Sequence, residues 1–486
     1  MYRLHRYKDI FFLYSMQIKY HAYCKSLTFY IHRHQKSLNF VSTIHYNSMN
    51  IEVLYQLYLQ HPCITTDSRN CPKDSIFLAL KGESFDGNKF AQGALDKGCA
   101  YAIVDNPQYA DPNQPKIILV NDCLLTYKAL ARMHRRQFNI PIIGITGTNG
   151  KTTTKELLSA VLSEKFNVMH TEGNYNNDVG VPKTLFRLND SHEIAVVEMG
   201  ASHIGDIKKL VDYVEPTCGL ITNVGRAHLQ GFGSFEGVKQ TKGELYDYLK
   251  AHDGLLFLNE SNPDLVEMAN ERQFNRIVSY GQSDDVNVCG TLISCSPFVN
   301  FSWTDLSTPH TKLRTYEITT HLIGAYNIDN LLASIAVGLH FGVTPEQINH
   351  ALSHYIPSNN RSQLEETAHN KLIVDAYNAN PSSMKAAIEN FKWMDVPHKM
   401  AILGDMLELG EVSASEHQKV VDMLQSNGFD KVWLVGKEFE KTHTTYRKFK
   451  DVDEVKAAIA VQQPQNHSIL IKGSNSIRLF ELPPYL

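Results

Sequence analysis

The chain has 486 residues, 43% hydrophobic and 20% charged, with a formal net charge of -4. That length exceeds one core and suits about three soluble globular domains, and the slightly acidic balance offers no basic face, so a nucleic-acid partner is not expected. The eight cysteines are scattered without Cys-x-x-Cys pairs or histidines at zinc spacing, and no apolar run reaches bilayer length. Neither a disulfide framework, a metal knot nor stable membrane insertion is expected, and a reducing cytoplasm fits.

Residues 1–48 carry seven Lys or Arg, five His and one acid, Asp9, with no Gly or Pro. They lack the turn residues of a folded domain, the apolar stripe of a membrane-surface helix and the layout of a signal peptide. Met49 is read as the start of the fold, and residues 1–48 as an extension outside it. From there the pattern is ordinary α/β: a helix over 51–60, the loop Thr65-Thr-Asp-Ser-Arg69, an apolar strand over 75–80, a turn-rich loop to Gly87, a helix over 89–97 and a strand over 100–104. These make a small unit ending near Phe138. A Ser-Arg pair such as Ser68-Arg69 is suited to a diphosphate, although a solvated turn uses the same residues.

The central region begins at Asn139. An apolar strand, Ile142-Ile-Gly-Ile-Thr146, breaks into Gly-Thr-Asn-Gly and enters a helix at Lys151-Thr-Thr-Thr-Lys155. Gly147 and Gly150 let successive N–H groups converge, the helix adds its positive end, Lys151 offers a point charge to phosphates and Thr152 a hydroxyl to Mg²⁺. The usual phosphate-loop spacing wants glycine at 145, where this chain has Ile145. Strand and helix then alternate, which argues for a mostly parallel sheet with ligands at the carboxyl ends of its strands. The strand over 193–200 presents Glu198 at its exit, the strand over 218–225 is followed by His228, and a helix over 237–249 carries Lys239 and Lys242 in its first turns. A carboxylate and an imidazole beside phosphates are natural Mg²⁺ partners; each alone is as readily a capping acid or a hydrogen-bonded histidine. The stretch 171–180 is rich in amides and glycine. Residues 281–316 read as a hairpin-forming insertion, with strand-like runs over 287–293 and 313–319.

A helix over 325–341 sets Asn327 and Asn330 on one face. Residues 357–361 look like a hinge. After it α/β alternation resumes, with strand exits at Asp375, Gly404-Asp405, Gly436 and Lys472. The expected fold is therefore α/β in three domains: a small N-terminal α/β domain (49–138), a central P-loop-type mostly parallel sheet (139–357) and a C-terminal Rossmann-like doubly wound domain (358–486).

Thr146-Gly-Thr-Asn-Gly-Lys-Thr152 resembles the phosphate loop of the ATP-dependent Mur ligases, which accounts for the displaced glycine. The resemblance runs from Met49 onward. Thr66-Asp-Ser-Arg69, Asn176-Asn-Asp-Val-Gly-Val-Pro182, Asp375-Ala-Tyr-Asn-Ala-Asn-Pro381 and Leu403-Gly-Asp-Met-Leu-Glu-Leu-Gly410 resemble the branch that performs the last ligation. One departure is Asn475 in Lys472-Gly-Ser-Asn475, where relatives often have arginine. The resemblance implies ATP-driven addition of D-alanyl-D-alanine to UDP-N-acetylmuramoyl-tripeptide through an acyl phosphate, by a cytoplasmic monomer. It implies ATP on Thr146, Gly147, Thr148, Asn149, Gly150, Lys151, Thr152 and Thr153, with Asn327, Asn330 and Arg361 around adenine and hinge. It implies two Mg²⁺ on Thr152, Glu198, His228 and a carbamylated Lys242, with Lys151, His228 and Lys242 catalytic and Lys239 as the ordinary lysine for contrast. The UDP substrate falls to Ser68, Arg69, Asn174, Asn176 and Asn177, and the dipeptide or domain closure to Asp375, Tyr377, Asn378 and Asp405. Rival readings are another ligase of the superfamily, such as folylpolyglutamate synthase, and a P-loop switch or motor.

Overall fold

The structure is a computed structural model that describes residues 50–307, 313–357 and 361–486. The extension 1–48 and the middle of the hinge, 358–360, lie outside the described residues. The chain divides between Cys123 and Leu124 into two compact units.

The first unit opens with helix α1, Ile51–Gln60, whose N-terminus is capped by Asn50, the side chain accepting from the Glu52 N–H. Four short strands follow, β1 (Ile64–Thr65), β2 (Ile76–Leu78), β3 (Tyr101–Val104) and β4 (Ile117–Leu119), paired in parallel in chain order. β2 is buried throughout, as a central parallel strand covered on both faces must be.

The second unit holds two sheets. The larger contains β5 (Ile142–Thr146), β6 (Val168–His170), β7 (Ile194–Glu198), β8 (Cys218–Ile221), β9 (Leu255–Asn259), β10 (Ile277–Gly281), β11 (Val288–Cys295), β12 (Phe298–Asp305) and β13 (Thr315–Ile323). Its order is β13-β12-β11-β10-β9-β8-β5-β7-β6. Period-two geometry sends Ile143, Ile145 and Val196 into one core and Ile142, Ala195 and Val197 into the other, so the sheet is sandwiched. The expected two-run hairpin is instead a three-stranded antiparallel meander, β11 to β13, joined to the parallel part through β10. The middle strand has a clean alternation, Val299, Phe301 and Trp303 inward, which is the signal that identifies it.

Three helices of this sheet matter to the site: α2 (Lys151–Ser163), α3 (Phe235–Ala251) and α4 (Ile328–His340). β5 lies between β7 and β8, so the chain leaves it in one direction and returns on the other side, opening a crevice at its carboxyl end. The second sheet comprises β14 (Gln363–Glu366), β15 (Lys371–Asp375), β16 (Lys399–Gly404), β17 (Lys431–Val435), β18 (Arg447–Phe449) and β19 (Ser468–Lys472), in the order β14-β15-β19-β16-β17-β18. Only β14 is antiparallel, and apolar clusters cover both faces. Its first helix, α5 (Pro381–Trp393), starts from an Asn380–Ser383 capping box with proline at the first turn.

Candidate active site

β5 ends at Thr146, whose buried hydroxyl donates to the Met199 carbonyl at 2.8 Å and so belongs to the sheet rather than to open space. The loop that follows needs glycine twice. Gly147 has φ +145°, and a Cβ there would stand 2.0 Å from Thr222 Oγ1; Gly150 has φ +78°, with Asn330 Oδ1 2.7 Å from a Cβ. The exit of β8 holds the loop: the Thr148 N–H donates to the Asn223 carbonyl and the Asn149 N–H to Asn223 Oδ1, both at 3.0 Å. Lys151 folds back over the loop, its Nζ donating to the carbonyls of Gly147 at 2.8 Å and Thr148 at 3.1 Å. Burial of this ammonium lowers its pKa to about 8, against the opposing pull of Glu198.

Thr152, in the first turn of α2, donates through Oγ1 to Glu198 Oε2 at 3.0 Å, and Asn176 Nδ2 donates to Oε1 at 2.8 Å. Glu198 is thus a buried carboxylate with polar partners on both oxygens. The two lysines of α3 separate sharply. Lys239 is partly covered and pairs with Asp264 and Glu267, whereas Lys242 is 2% exposed and meets no carboxylate among the described residues, with Nζ 5.3 Å from the centre of the Phe232 ring. Burial, reinforced by the charge of Lys151, drives the Lys242 pKa well below the usual lysine range. His228 has φ +51° and its Nδ1 meets the carboxylate of Glu408; burial lowers its pKa although Glu408 opposes that.

A hydrogen-bonded ladder occupies the other wall. Thr154 Oγ1 donates to Asn330 Oδ1 at 2.9 Å, Asn330 Nδ2 to Asn327 Oδ1 at 2.8 Å, and Asn327 Nδ2 to the Ile323 carbonyl at 2.8 Å. Asn327 sits in a short 3₁₀ turn and Asn330 in the first turn of α4, so the pair face each other across the start of the helix. The Arg361 guanidinium stacks over the Tyr377 ring at 4.0 Å.

The second sheet of the unit meets this wall directly. Asp375 and Lys472 end adjacent strands in register, and Lys472 Nζ donates to Asp375 Oδ2 at 2.6 Å and to the Asn378 carbonyl at 3.2 Å. Asn380 Nδ2 donates to Asn149 Oδ1 at 2.8 Å, and the Arg226 N–H to Ser382 Oγ at 3.2 Å. Between the two sheets lies a cavity of about 720 Å³. Of the residues expected from sequence, Thr148, Asn149, Gly150, Lys151, Thr152, Thr153, Asn174, Asn176, Asn177, Glu198, His228, Asn327, Asn330, Arg361, Asp375, Tyr377 and Asn378 line it.

Thr146, Gly147, Lys242 and Asp405 do not line it. The first three support it from behind, but Asp405 faces elsewhere. Its carboxylate accepts the N–H groups of Glu438 and Phe439, at 2.9 Å each, because the helical turn 437–440 has free N–H groups and the strand exit supplies the nearest acceptor. Asp405, expected at the dipeptide or in closure, stands here as a buried cap. Ser68 and Arg69 belong to the first unit, where Arg69 forms a two-point pair with Asp67 and is otherwise open to solvent. Sequence reading missed Asn223, Asn380, Ser382 and Glu408. The first stands two residues beyond β8, where the strand-exit rule would have found it. No cluster of three or more His, Cys, Asp or Glu arranged for a metal occurs among the described residues, and no helix among them is long and apolar enough to cross a membrane.

Three family models match the chain: the Mur ligase family catalytic domain over residues 62–137, the Mur ligase middle domain over 145–338 and the Mur ligase glutamate ligase domain over 360–475. The UDP-N-acetylmuramoyl-tripeptide–D-alanyl-D-alanine ligase of Bacillus subtilis is 32% identical over 434 residues, covering 86% of this chain and 92% of its own. The solved structure of MurF from Acinetobacter baumannii is 30% identical with a TM-score of 0.78, covering 88% of this chain and 96% of its own. That of MurF from Thermotoga maritima, a complex with ADP, is 26% identical with a TM-score of 0.78, covering 88% of this chain and 97% of its own.

Proposed function

The chain belongs to the Mur ligase family, and from that membership we propose that it adds D-alanyl-D-alanine to UDP-N-acetylmuramoyl-tripeptide at the expense of ATP. The observation that carries this is the meeting, in one cavity, of a phosphate loop from one sheet and the strand-exit residues of another. A nucleotide switch has no use for the second set; a ligase must bring a third reactant to the γ-phosphate.

The chemistry follows from the charges. A carboxylate is a poor electrophile, and transfer of the γ-phosphoryl group to it supplies a leaving group. The peptide carboxylate attacks the γ-phosphorus and ADP leaves; the dipeptide amine then attacks the acyl carbon and phosphate leaves. Lys151, the loop N–H groups and the positive end of α2 take up charge on the transferring group. Thr148, Asn149, Gly150, Thr152 and Thr153 complete the phosphate contacts, with Asn327, Asn330 and Arg361 on the adenine side. Asp375, Tyr377 and Asn378 face the incoming dipeptide. Ser68, Arg69, Asn174, Asn176 and Asn177 serve the UDP-linked substrate.

Mg²⁺, when bound, neutralises charge on the β- and γ-phosphate oxygens. Thr152 and Glu198 suit one such ion, because their hydroxyl and carboxylate are hard oxygen donors already adjacent at 3.0 Å. A second ion on Glu198, His228 and Lys242 would need Lys242 to carry a carbamate, since an ammonium there repels a cation; Lys242 stands behind the cavity wall, near enough to His228 for its charge to lower the imidazole pKa. The low pKa of Lys242 favours that modification: the neutral amine is the form that adds CO₂. His228 Nδ1 is engaged by Glu408, so Nε2 is the ring nitrogen that would meet an ion. Under this reading the enzyme is a cytoplasmic monomer, with 49–138 serving the UDP moiety, 139–357 ATP and 358–486 the dipeptide.

The test is phosphate release by the full chain with ATP, Mg²⁺ and UDP-muramoyl-tripeptide, with and without D-alanyl-D-alanine, and the product mass read out. Release that needs both substrates and yields the pentapeptide is expected; hydrolysis indifferent to both would overturn the assignment.

A further inference from the structure

Asn380 has two separate tasks for its two amide atoms. Its Oδ1 accepts the Ser383 N–H at 2.9 Å and caps α5, while its Nδ2 donates to Asn149 Oδ1 at 2.8 Å, across from one sheet's domain to the other's. Asn149 is held on both its N–H and its carbonyl by the exit of β8. Its N–H goes to Asn223 Oδ1, and its carbonyl accepts from Thr222 Oγ1 at 2.6 Å and Asn223 Nδ2 at 3.1 Å. Asn380 therefore gives a hydrogen bond from the C-terminal domain to a loop whose backbone is fixed by its own domain.

The same helix is tied at its far end. Asn390 Oδ1 accepts the Ala325 N–H at 3.2 Å, at the corner that leads into Asn327 and the ladder of α4. Ten residues of helix separate Asn380 from Asn390, a rise of about 15 Å. One rigid element thus bears on the phosphate loop with one end and on the corner before the adenine-side asparagines with the other. A displacement of α5 as a rigid body would break both contacts.

We propose that Asn380 is a positioning residue for the phosphoryl-transfer step: its hydrogen bond to Asn149 latches the docked C-terminal domain onto the phosphate loop, and α5 carries that docking to the adenine-side corner. The inference rests on the ATP-ligase reading above and deepens it. Latching matters because a domain that docks loosely leaves the loop unchanged for binding ATP but misaligned for transfer. The loss should fall on kcat and spare KM for ATP.

The substitution Asn380→Ser separates the two tasks. Serine caps a helix about as well as asparagine, yet its side chain is too short to reach Asn149. The expected result is unchanged thermal stability, a kcat lower by about tenfold, the worth of one hydrogen bond, and a KM for ATP within about twofold of the parent. A kcat equal to the parent's, or a drop in stability matching that of Asn380→Ala, would reduce Asn380 to a cap and overturn the proposal. A double-mutant cycle with Asn149→Ala should be strongly non-additive; additive losses would count equally against it. Hydrogen exchange of the Ala325 and Arg226 N–H groups, which donate across the domains to Asn390 and Ser382 of α5, read with a non-hydrolysable ATP analogue bound, keeps the test independent of product formation. Protection in the parent and its loss in Asn380→Ser is expected, and equal protection in both overturns the latch. Failure of the parent to make pentapeptide would instead overturn the ligase reading and leave the exchange result to decide the latch.

Discussion

At the scale of single residues, two lysines carry unusual burdens because both are desolvated beside charge. Lys151 has a pKa of about 8 in the free loop. A nucleotide brings several negative charges to it and favours the protonated form, so the pKa must rise on binding. At pH 8.5 part of the free protein holds a neutral Lys151, and binding ATP has to take up a proton; at pH 7 it does not. Calorimetry in buffers of different ionisation enthalpy should report that uptake at pH 8.5, and KM for ATP should climb as pH passes 8. Binding heats that ignore the buffer would count against this account of Lys151. For Lys242 the contrast with Lys239 is the test, since the two lie three residues apart on one helix. If the proposed carbamate on Lys242 serves the metal site, Lys242→Ala should cost about 10–100-fold or more in kcat, while Lys239→Ala, which breaks only partly exposed ion pairs, should leave activity within about twofold. ¹³C-labelled bicarbonate should give a carbamate signal in the parent that Lys242→Ala lacks; a signal surviving that substitution would assign it elsewhere.

At the scale of elements, the ladder between α2 and α4 shows what local pattern reveals and what it omits. Asn327 and Asn330 are visible as a pair from their spacing, and the phosphate loop from its glycines. What no spacing shows is that Asn330 accepts from Thr154, 176 residues earlier, and that its carboxamide fills the room a Cβ at Gly150 would need. Local motifs are legible because neighbouring residues make their own geometry; the contact between two helices is set by the sheet that spaces them. The meander has the same lesson in reverse, since the alternation in β12 was present and its pairing with β11 and β13 follows from it. Asn330→Ala leaves the Thr154 hydroxyl and Asn327 Oδ1 without partners in a buried site, a loss of about 2–3 kcal/mol. Denaturant unfolding should show a lower midpoint with an unchanged slope, together with a raised KM for ATP. A midpoint equal to the parent's would mean that water replaces the amide and that the ladder is not structural.

At the scale of the whole second unit, the contacts that join its two sheets are the least legible part of the sequence, because Asn149 and Asn380 are 231 residues apart and His228 and Glu408 are 180. Both Asp375 and Asp405 stand at strand exits, yet the first lines the cavity and the second caps the turn 437–440, for the strand-exit rule predicts where a residue stands and not which loop its side chain serves. His228 and Glu408 both hold positive φ, +51° and +60°, and meet across the domain boundary. Non-glycine residues in that region cost about 1–3 kcal/mol each unless their surroundings enforce them, so the pair is held by docking and in turn marks it. Glu408 is more than half exposed, which limits the pair to about 1 kcal/mol and the effect of its loss to about a fivefold shift toward undocked forms. Glu408→Ala also removes the charge that holds up the His228 pKa, leaving burial unopposed, so that pKa falls further. Two outcomes follow together. If His228 serves as the metal ligand proposed above, the acid limb of the kcat profile, set by its protonation, should move to lower pH. Phosphate released with UDP-muramoyl-tripeptide but without D-alanyl-D-alanine should rise severalfold, because a domain that docks less often admits water to the acyl phosphate. Scattering profiles with an ATP analogue and muramoyl substrate should then be more extended for Glu408→Ala than for the parent. Superimposable profiles combined with unchanged uncoupled release would mean that closure is governed by α5 alone and that His228 and Glu408 merely meet.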